Sequence, residues 1–193
     1  VIRDDMTRQF AAKIDQVAIN GGGANEPSGI LQTNGIGSVL LDETSPYAGG
    51  SITFAKLVEL IREVDVDNAL AGNLAFLTNP QVMFQLRTTP RQTSGVEGNF
   101  IMGDASVIMG YAVESTTLVP SNLTTTGGGT NLSAMIFGNY ADLMIGMFGG
   151  LDVLVDPYTG SATGATRVAM YQDIDVAVRN AESFSAIQDI ITS

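Results

Sequence analysis

The 193-residue sequence contains neither cysteine nor histidine. Without cysteine the chain can form no disulfide and no thiolate metal site. Without histidine it lacks the commonest general base and the commonest zinc ligand, and a Ser-His catalytic triad is excluded. Aspartates, glutamates and eight methionines are the groups that remain for such chemistry. We therefore predict no catalytic residue, no metal site, no cofactor and no enzymatic activity.

Basic residues are also scarce, and long apolar runs are missing. Nine lysines and arginines stand against 20 acidic residues, which gives a net charge of −11 and a pI near 4.1. This balance disfavours binding to nucleic acid through its phosphates. No run of 18 apolar residues occurs, so we expect no membrane span. Yet 45% of the residues are hydrophobic and the mean hydropathy is +0.21, which predicts a large core or apolar surface that meets other subunits.

An apolar stripe with helical spacing opens the chain and predicts a long amphipathic helix. We expect Phe10 and Ile14 on this stripe to be buried. Arg8 and Gln9 lie off the stripe and should be exposed. The chain opens on Val1-Ile2, with no capping residue before the apolar stripe, so we expect the helix to begin upstream of Val1 and the sequence to be a fragment of a longer protein. The stripe consists of Met6, Phe10, Ile14 and Val17.

Glycines follow this helix. Asn20-Gly21 has the residue types that end helices, because glycine adopts the left-handed conformation at little cost. Residues 21–28 should form a loop that leads into a short apolar strand at Ile30-Leu31. A phosphate cradle at Gly21–Gly23 is the alternative interpretation. It lacks the following Gly-Lys-Ser/Thr and a preceding strand.

The middle of the chain predicts a mixture of helices and strands. Thr53 or Ser51 can cap a helix over about residues 53–66, and Asn79-Pro80 begins another. Residues 88–99 and 121–131 are polar and glycine-bearing, which predicts mobile loops. Residues 100–119 favour a hairpin or bent strand, and strands are expected at 74–78, 134–138, 143–147 and 151–155. The buried face of the first helix is expected to hold Phe54, Leu57, Val58, Ile61 and Val64.

A strict alternation over residues 167–179 predicts one unusually long strand. At ~3.3 Å per residue it would span roughly 43 Å, about twice the usual length. Such a strand favours a flat, extended subunit that meets its neighbours. We expect Arg167, Asp173, Asp175 and Arg179 on the outward polar face. The apolar face, interrupted by Gln172, should hold Val168, Met170, Ile174, Val176 and Val178.

Two acidic pairs are candidates for binding a cation, and the second pair is also a candidate for acid–base chemistry. Asp65 and Asp67 begin like a calcium loop, but Ala69 and Leu70 occupy positions that need an oxygen ligand and a glycine. Asp173 and Asp175 share a strand face, where a solvated acidic pair is the simpler interpretation. The methionines at 102, 109, 135, 144 and 147 favour packing over a binding surface.

Several short motifs, in order, resemble the major capsid proteins of tailed bacteriophages. In that family a long spine helix ends in an asparagine-glycine turn, and a Pro-x-Gly-Ile turn enters the capsomer-forming domain. Phe137-Gly138-Asn139-Tyr140 is similar to a family turn in which aspartate is commoner than asparagine. The other matching segments are Ala18–Gly23, Pro27–Leu31 and Phe76–Pro80.

The resemblance implies an α+β fold, the phage major capsid fold, made of two domains. Residues 21–165 and 183–193 would form the central, axial domain. Residues 1–20 and 166–182 would form a discontinuous peripheral domain with the spine helix and the long strand. The strand would lie antiparallel to the spine helix, and the chain would then return to the central domain over Phe184–Ile191.

The implied function is structural. Copies would assemble into hexamers and pentamers of an icosahedral phage or prophage shell that encloses DNA. The protein would assemble in the bacterial host cytoplasm and reside in the virion. The partners would be other capsid subunits, with scaffold, portal or decoration proteins as further candidates. We expect neither specific nucleic-acid binding nor contact with a membrane. Some family members form a lysine–asparagine crosslink. Its asparagine would fall near Thr166, and this departure argues against the crosslink here. The alternatives are an encapsulin shell protein and, more remotely, a nucleotide-binding enzyme.

Overall fold

The computed structural model describes residues 2–43, 47–92, 99–103 and 105–192. These residues contain three α-helices and eight strands, and the last six strands follow the third helix. The helices are α1 (Ile2–Asn20), α2 (Phe54–Val66) and α3 (Pro80–Thr88). The strands are β1 (Gly37–Ser38), β2 (Leu74–Thr78), β3 (Val107–Ile108), β4 (Tyr111–Ser115), β5 (Leu132–Asn139), β6 (Leu143–Asp156), β7 (Arg167–Val178) and β8 (Phe184–Ile191).

Six of the strands form one mixed sheet in the order β1-β8-β5-β2-β4-β3. Strand β5 lies inside the sheet, antiparallel to β8 on one side and to β2 on the other. All eight of its residues are buried, because both faces of the sheet are covered. The prediction of a strand at 134–138 is confirmed, and the strand extends beyond it at both ends.

Alternate side chains of β5 enter two separate apolar clusters. Met135 and Phe137 join the cluster beneath α2 and α3, which also holds Leu57, Leu60, Val64, Val82, Leu86 and Phe76. Ala134 and Ile136 join a smaller cluster on the opposite face. Its other members include Ile19, Ile30, Leu31, Val119 and Phe184. The central body is therefore a sheet covered on both faces, and it belongs to the α+β class, as predicted.

Helices α2 and α3 begin where their capping residues predict. The Thr53 hydroxyl accepts from the Lys56 main-chain amide at 3.4 Å, and the Asn79 side-chain oxygen Oδ1 accepts from the Val82 main-chain amide at 2.9 Å. One position on the predicted stripe of α2 is wrong. Val58 is 44% exposed, while Leu60 is fully buried in its place. The packing of α2 against the sheet decides which side of the stripe is covered.

Helix α1 ends at Asn20 as predicted, but its stripe is only half-buried. Phe10 and Ile14 are half-buried rather than enclosed, whereas Arg8 and Gln9 are exposed as expected. Burial becomes complete only in the last turn, at Val17, Ala18 and Ile19. The chain then forms a 3₁₀ turn at Ile30–Gln32, where a short strand was expected.

Strands β6 and β7 pair only with each other in the part of the chain that the structure describes. They form an antiparallel ribbon, Leu143–Val178, separate from the six-stranded sheet. The two strands predicted at 143–147 and 151–155 are one strand, β6, with an irregularity between Phe148 and Asp152. Strand β7 confirms the predicted long strand to within one residue.

The remaining segments mostly follow the predictions. Strands β3 and β4 form the hairpin expected within residues 100–119. Residues 121–131 form a loop with one isolated bridge from Leu123 to Leu132. In the other predicted loop, residues 93–98 lie outside the described residues. The predicted mobility of both loops stays a prediction.

Candidate assembly surfaces

The ribbon has one largely apolar face, which follows from its register. Residues that pair directly across two strands share a face, and successive residues alternate between faces. Ile145 pairs with Val176 and Met147 with Ile174, while beyond the irregularity Val153 pairs with Met170 and Val155 with Val168. Gln172 interrupts this row, and its side-chain amide donates to the Phe148 carbonyl at 3.1 Å. The face holds Leu143, Ile145, Met147, Val153, Val155, Val168, Met170, Ile174, Val176 and Val178.

This apolar face is covered at the base of the ribbon and open at its far end. Leu143 and Val178 pack against the smaller core cluster, α1 contacts β7, and Val176 is only 5% exposed. Farther out, Met147 is 65% exposed and Val155 is 59% exposed. A two-stranded ribbon alone is marginally stable, and an apolar patch of this kind marks an interaction surface.

The opposite face of the ribbon is mixed. Asp173, Asp175 and Arg167 are exposed there, as the alternation predicts. They lie beside Phe148, which is 60% exposed, and Leu154, which is 54% exposed. Both faces of the ribbon therefore offer contacts, and one of them carries charge.

Arg179 is exposed, as predicted, and it also holds the ribbon to the central body. Its guanidinium pairs with the buried carboxylate of Asp142, and its main-chain amide donates to the Asp142 carbonyl at 2.8 Å. The Asn139 side-chain amide also donates to Asp142, at 3.1 Å. The Ser183 hydrogen bond, the Arg179 charge and the Asn139 hydrogen bond hold the pKa of Asp142 below its usual value, against the effect of burial. We call these four residues the junction clamp.

The sequence gives little signal for this clamp. Asp142 stands alone between apolar residues, 37 positions from Arg179. Asp142 lies in the connection from β5 to β6, and Arg179 lies in the connection from β7 to β8. The pairing of β5 with β8 and of β6 with β7 brings these two connections together.

The glycine loop after α1 does not form a phosphate cradle. A cradle uses the positive N-terminal end of a helix, whereas Gly21–Gly23 follow the negative C-terminal end of α1. Gly21 is required by close packing, because an added Cβ would lie 2.1 Å from the Pro27 carbonyl oxygen. The left-handed conformation predicted at Gly21 occurs instead at Gly23, where φ is 74°.

The two acidic pairs remain ordinary surface features. Asp65 and Asp67 are exposed at the C-terminal end of α2, and Asp173 and Asp175 are exposed on the mixed face of the ribbon. No group of three or more acidic side chains suited to a metal ion occurs among the described residues.

The five methionines divide between core and surface. Met102 and Met135 are buried in the larger core cluster. Met109 is 37% exposed, Met144 is 52% exposed and Met147 is 65% exposed, so the packing interpretation holds for only two of the five. Thr166 is exposed just before β7. Within the described ranges, no helix is both long and apolar enough to cross a membrane.

Comparison with known families agrees with this architecture. The phage capsid family model matches residues 1–189, and the chain belongs to that family. A curated relative, the major capsid protein of Halomonas phage phiHAP-1, is 23% identical over 187 residues. That match covers 96% of this chain but 27% of the relative, so the chain spans about a quarter of that protein.

Solved structures share the fold. The capsid of a native GTA particle matches with a TM-score of 0.69 at 18% identity, over 98% of this chain and 65% of that one. A structure of Gordonia phage Cozz matches with a TM-score of 0.63 at 20% identity, over 97% of this chain and 62% of that one. The SrpI encapsulin complex of Synechococcus elongatus PCC 7942 matches with a TM-score of 0.56 at 14% identity, over 100% of this chain and 66% of that one. The fold is thus that of phage capsid and encapsulin subunits, and the family match favours the phage side.

Proposed function

We propose that this chain is a wall-forming part of a phage or prophage major capsid protein. Copies assemble into hexamers and pentamers that close an icosahedral shell around DNA. Membership of the phage capsid family supports this function, and the multi-subunit capsids among the structural neighbours support homo-oligomeric assembly. The observation that carries it in this chain is the open apolar face of the ribbon, which a lone subunit leaves in water.

The domain division follows the same proposal, with one boundary moved. The central domain is the six-stranded sheet with α2 and α3, and the peripheral domain contains α1 and the ribbon. The sequence alone predicts that residues 143–165 belong to the central domain. Because β6 pairs with β7 and, among the described residues, with no strand of the larger sheet, we place 143–165 in the peripheral domain.

The charge of the subunit fits a wall that does not adhere to the DNA it encloses. With a net charge of −11, the chain repels phosphates rather than neutralising them. We propose a structural, non-enzymatic role in the virion, after assembly in the host cytoplasm. Scaffold, portal and decoration proteins are proposed as further partners.

A substitution at the open end of the apolar face tests the proposal. In the full-length protein, Met147→Asp should prevent shell formation, because it places a carboxylate in a surface that assembly removes from water. The subunit should stay folded, since Met147 is 65% exposed. Shells are counted by electron microscopy and gradient sedimentation, and folding is followed by circular dichroism.

Val58→Asp provides the matched control. Val58 is 44% exposed on α2, away from the ribbon, and the change adds the same charge. The proposal fails if Met147→Asp assembles as the wild type does, or if both variants fail equally. Nucleic acid inside purified shells distinguishes a phage capsid from the encapsulin alternative, whose shells enclose protein.

A further inference from the structure

The chain contains two Asn-Gly pairs, Asn20-Gly21 and Asn34-Gly35, and the fold places them in opposite environments. In such a pair the main-chain nitrogen of the glycine can approach the asparagine side chain closely, because glycine has no Cβ to obstruct it. Ring closure between the two residues needs a free glycine nitrogen and a free asparagine side-chain amide. The two pairs differ in both respects.

Asn20-Gly21 is closed to this reaction. The Gly21 main-chain amide donates to the Val17 carbonyl at 2.8 Å and continues the hydrogen bonding of α1 by one residue. The Asn20 side-chain oxygen accepts from the Gln32 side-chain amide at 3.0 Å, which fixes the orientation of the asparagine amide. Gly21 is also buried, so its nitrogen reaches the Asn20 side chain only if the end of the helix opens.

Asn34-Gly35 is open. Both residues are exposed in the turn between the 3₁₀ turn Ile30–Gln32 and β1. The described part of the chain supplies no hydrogen-bond partner to the Gly35 main-chain amide or to the Asn34 side chain. Gly35 has φ of 92°, and a Cβ added there would lie 3.5 Å from the Ala181 side chain, an ordinary contact distance. The turn is therefore not confined by close packing at this pair.

We infer that Asn34 is a site of spontaneous deamidation, with water as the second reactant. The Gly35 nitrogen attacks Cγ of Asn34, the new N–Cγ bond closes a succinimide ring, and the Cγ–Nδ2 bond breaks. Ammonia leaves with the hydrogen that the Gly35 nitrogen gives up. Water then opens the ring at Cγ to give aspartate, or at the Asn34 main-chain carbonyl carbon to give isoaspartate.

The product differs from the unmodified chain in charge and in backbone length. Each converted copy carries one negative charge beyond the net −11 of the sequence. The isoaspartyl form also adds a methylene group to the main chain three residues before Gly37, where the two-residue strand β1 begins its pairing with β8. This modification is independent of the proposed shell function.

Peptide mapping of the aged full-length protein by mass spectrometry tests the inference. The folded protein is incubated at fixed pH and temperature, and the mass change from NH₂ to OH is followed in the peptides that carry Asn34 and Asn20. Asn34 should convert roughly tenfold or more faster than Asn20, because Asn20-Gly21 must first lose a main-chain hydrogen bond. In denaturing guanidinium chloride the two rates should become similar, since both pairs are then unfolded.

Two substitutions assign the site. Asn34→Gln keeps an exposed amide but needs a larger, more slowly formed ring. It should therefore remove most of the isoaspartate that a carboxyl methyltransferase specific for this residue labels in the same peptide. Asn122→Gln is the matched control, because it makes the same change at an exposed asparagine that is followed by leucine. It should leave the labelling at Asn34 unchanged.

Each outcome decides for or against the site. Fast conversion of Asn34 in the folded protein, with loss of labelling in Asn34→Gln and unchanged labelling in Asn122→Gln, supports the inference. Equal rates for the two pairs in the folded protein, or faster conversion at Asn20, overturn it. An Asn34 that reacts only in guanidinium chloride also overturns it, because the folded turn would then hold the pair in a geometry that prevents ring closure.

Discussion

At the scale of single residues, Met109 is in a backbone conformation that its side chain does not favour. Four non-glycine residues among those described have positive φ, and the other three are asparagines, which tolerate it. Met109, with φ of 51°, and Gly110, with φ of 88°, form the two-residue connection between β3 and β4. Positive φ at both central residues defines a type I′ turn, for which Asn-Gly is the preferred pair.

Replacing this methionine should therefore stabilise the protein. We expect Met109→Asn to raise the free energy of unfolding by about 0.5–1 kcal/mol, because asparagine adopts the left-handed conformation more readily. Urea denaturation followed by circular dichroism measures the change. Met109→Val should shift the midpoint in the opposite direction, because a branched Cβ is worse at positive φ. A lower midpoint for Met109→Asn would show that Met109 makes contacts that outweigh the backbone strain.

At the scale of elements, the junction clamp connects the ribbon to the central body and should make stability depend on pH. The folded-state pKa of Asp142 lies below its unfolded value, because Ser183, Arg179 and Asn139 favour the charged carboxylate. The contribution of the Asp142 carboxylate to the free energy of unfolding is therefore complete above its unfolded-state pKa of about 3.9. It is lost as the pH falls through the folded-state pKa. We expect Asp142→Asn to destabilise the protein by about 1–3 kcal/mol at pH 7.

The difference between wild type and Asp142→Asn should shrink as the pH falls below about 4. Urea titrations at several pH values measure it, and Asp173→Asn on the exposed face of the ribbon is the control. A difference that stays constant down to the lowest pH would show that packing of the Asp142 side chain, rather than its charge, stabilises the junction.

The two faces of β7 should respond differently to charge. Val176→Asp should destabilise the protein by about 3 kcal/mol or more, because Val176 is 5% exposed and the new carboxylate would have no partner. Asp175→Lys should stay within about ±0.5 kcal/mol, because its side chain is exposed. In the full-length protein it should weaken assembly if this face meets a neighbour. A Val176→Asp protein that melts like wild type would contradict the assignment of the faces.

At the scale of the whole molecule, apolar contact and like charge oppose each other during assembly. More than half of the exposed large apolar side chains in the described part of the chain lie on the ribbon segment, residues 143–178. Each subunit also carries a net charge of −11. Shell assembly of the full-length protein should therefore accelerate as NaCl rises from about 0.01 M to about 0.1 M, where the Debye length falls from about 30 Å to about 10 Å. Light scattering measures the rate. A rate that falls with salt would show that attractive ion pairs dominate the contact.

The local sequence pattern by itself determined many of the helices and strands of this protein. The end of α1, the caps of α2 and α3, strand β2 and the alternation of β7 follow from neighbouring residues, because helix caps and strand periodicity act over four residues or fewer. The ordered motifs also identified the capsid family, and the negative charge set the character of the surface.

The tertiary structure decided what depends on residues far apart in sequence. The separation of the ribbon from the central sheet, the exposure of Val58, and the junction clamp between Asp142 and Arg179 all depend on which strands pair. The same alternating pattern fits a ribbon or a larger sheet, and the hydropathy of one strand does not specify its partner. Long-range packing makes that choice, because each pairing buries a different set of side chains and only the whole fold satisfies them together.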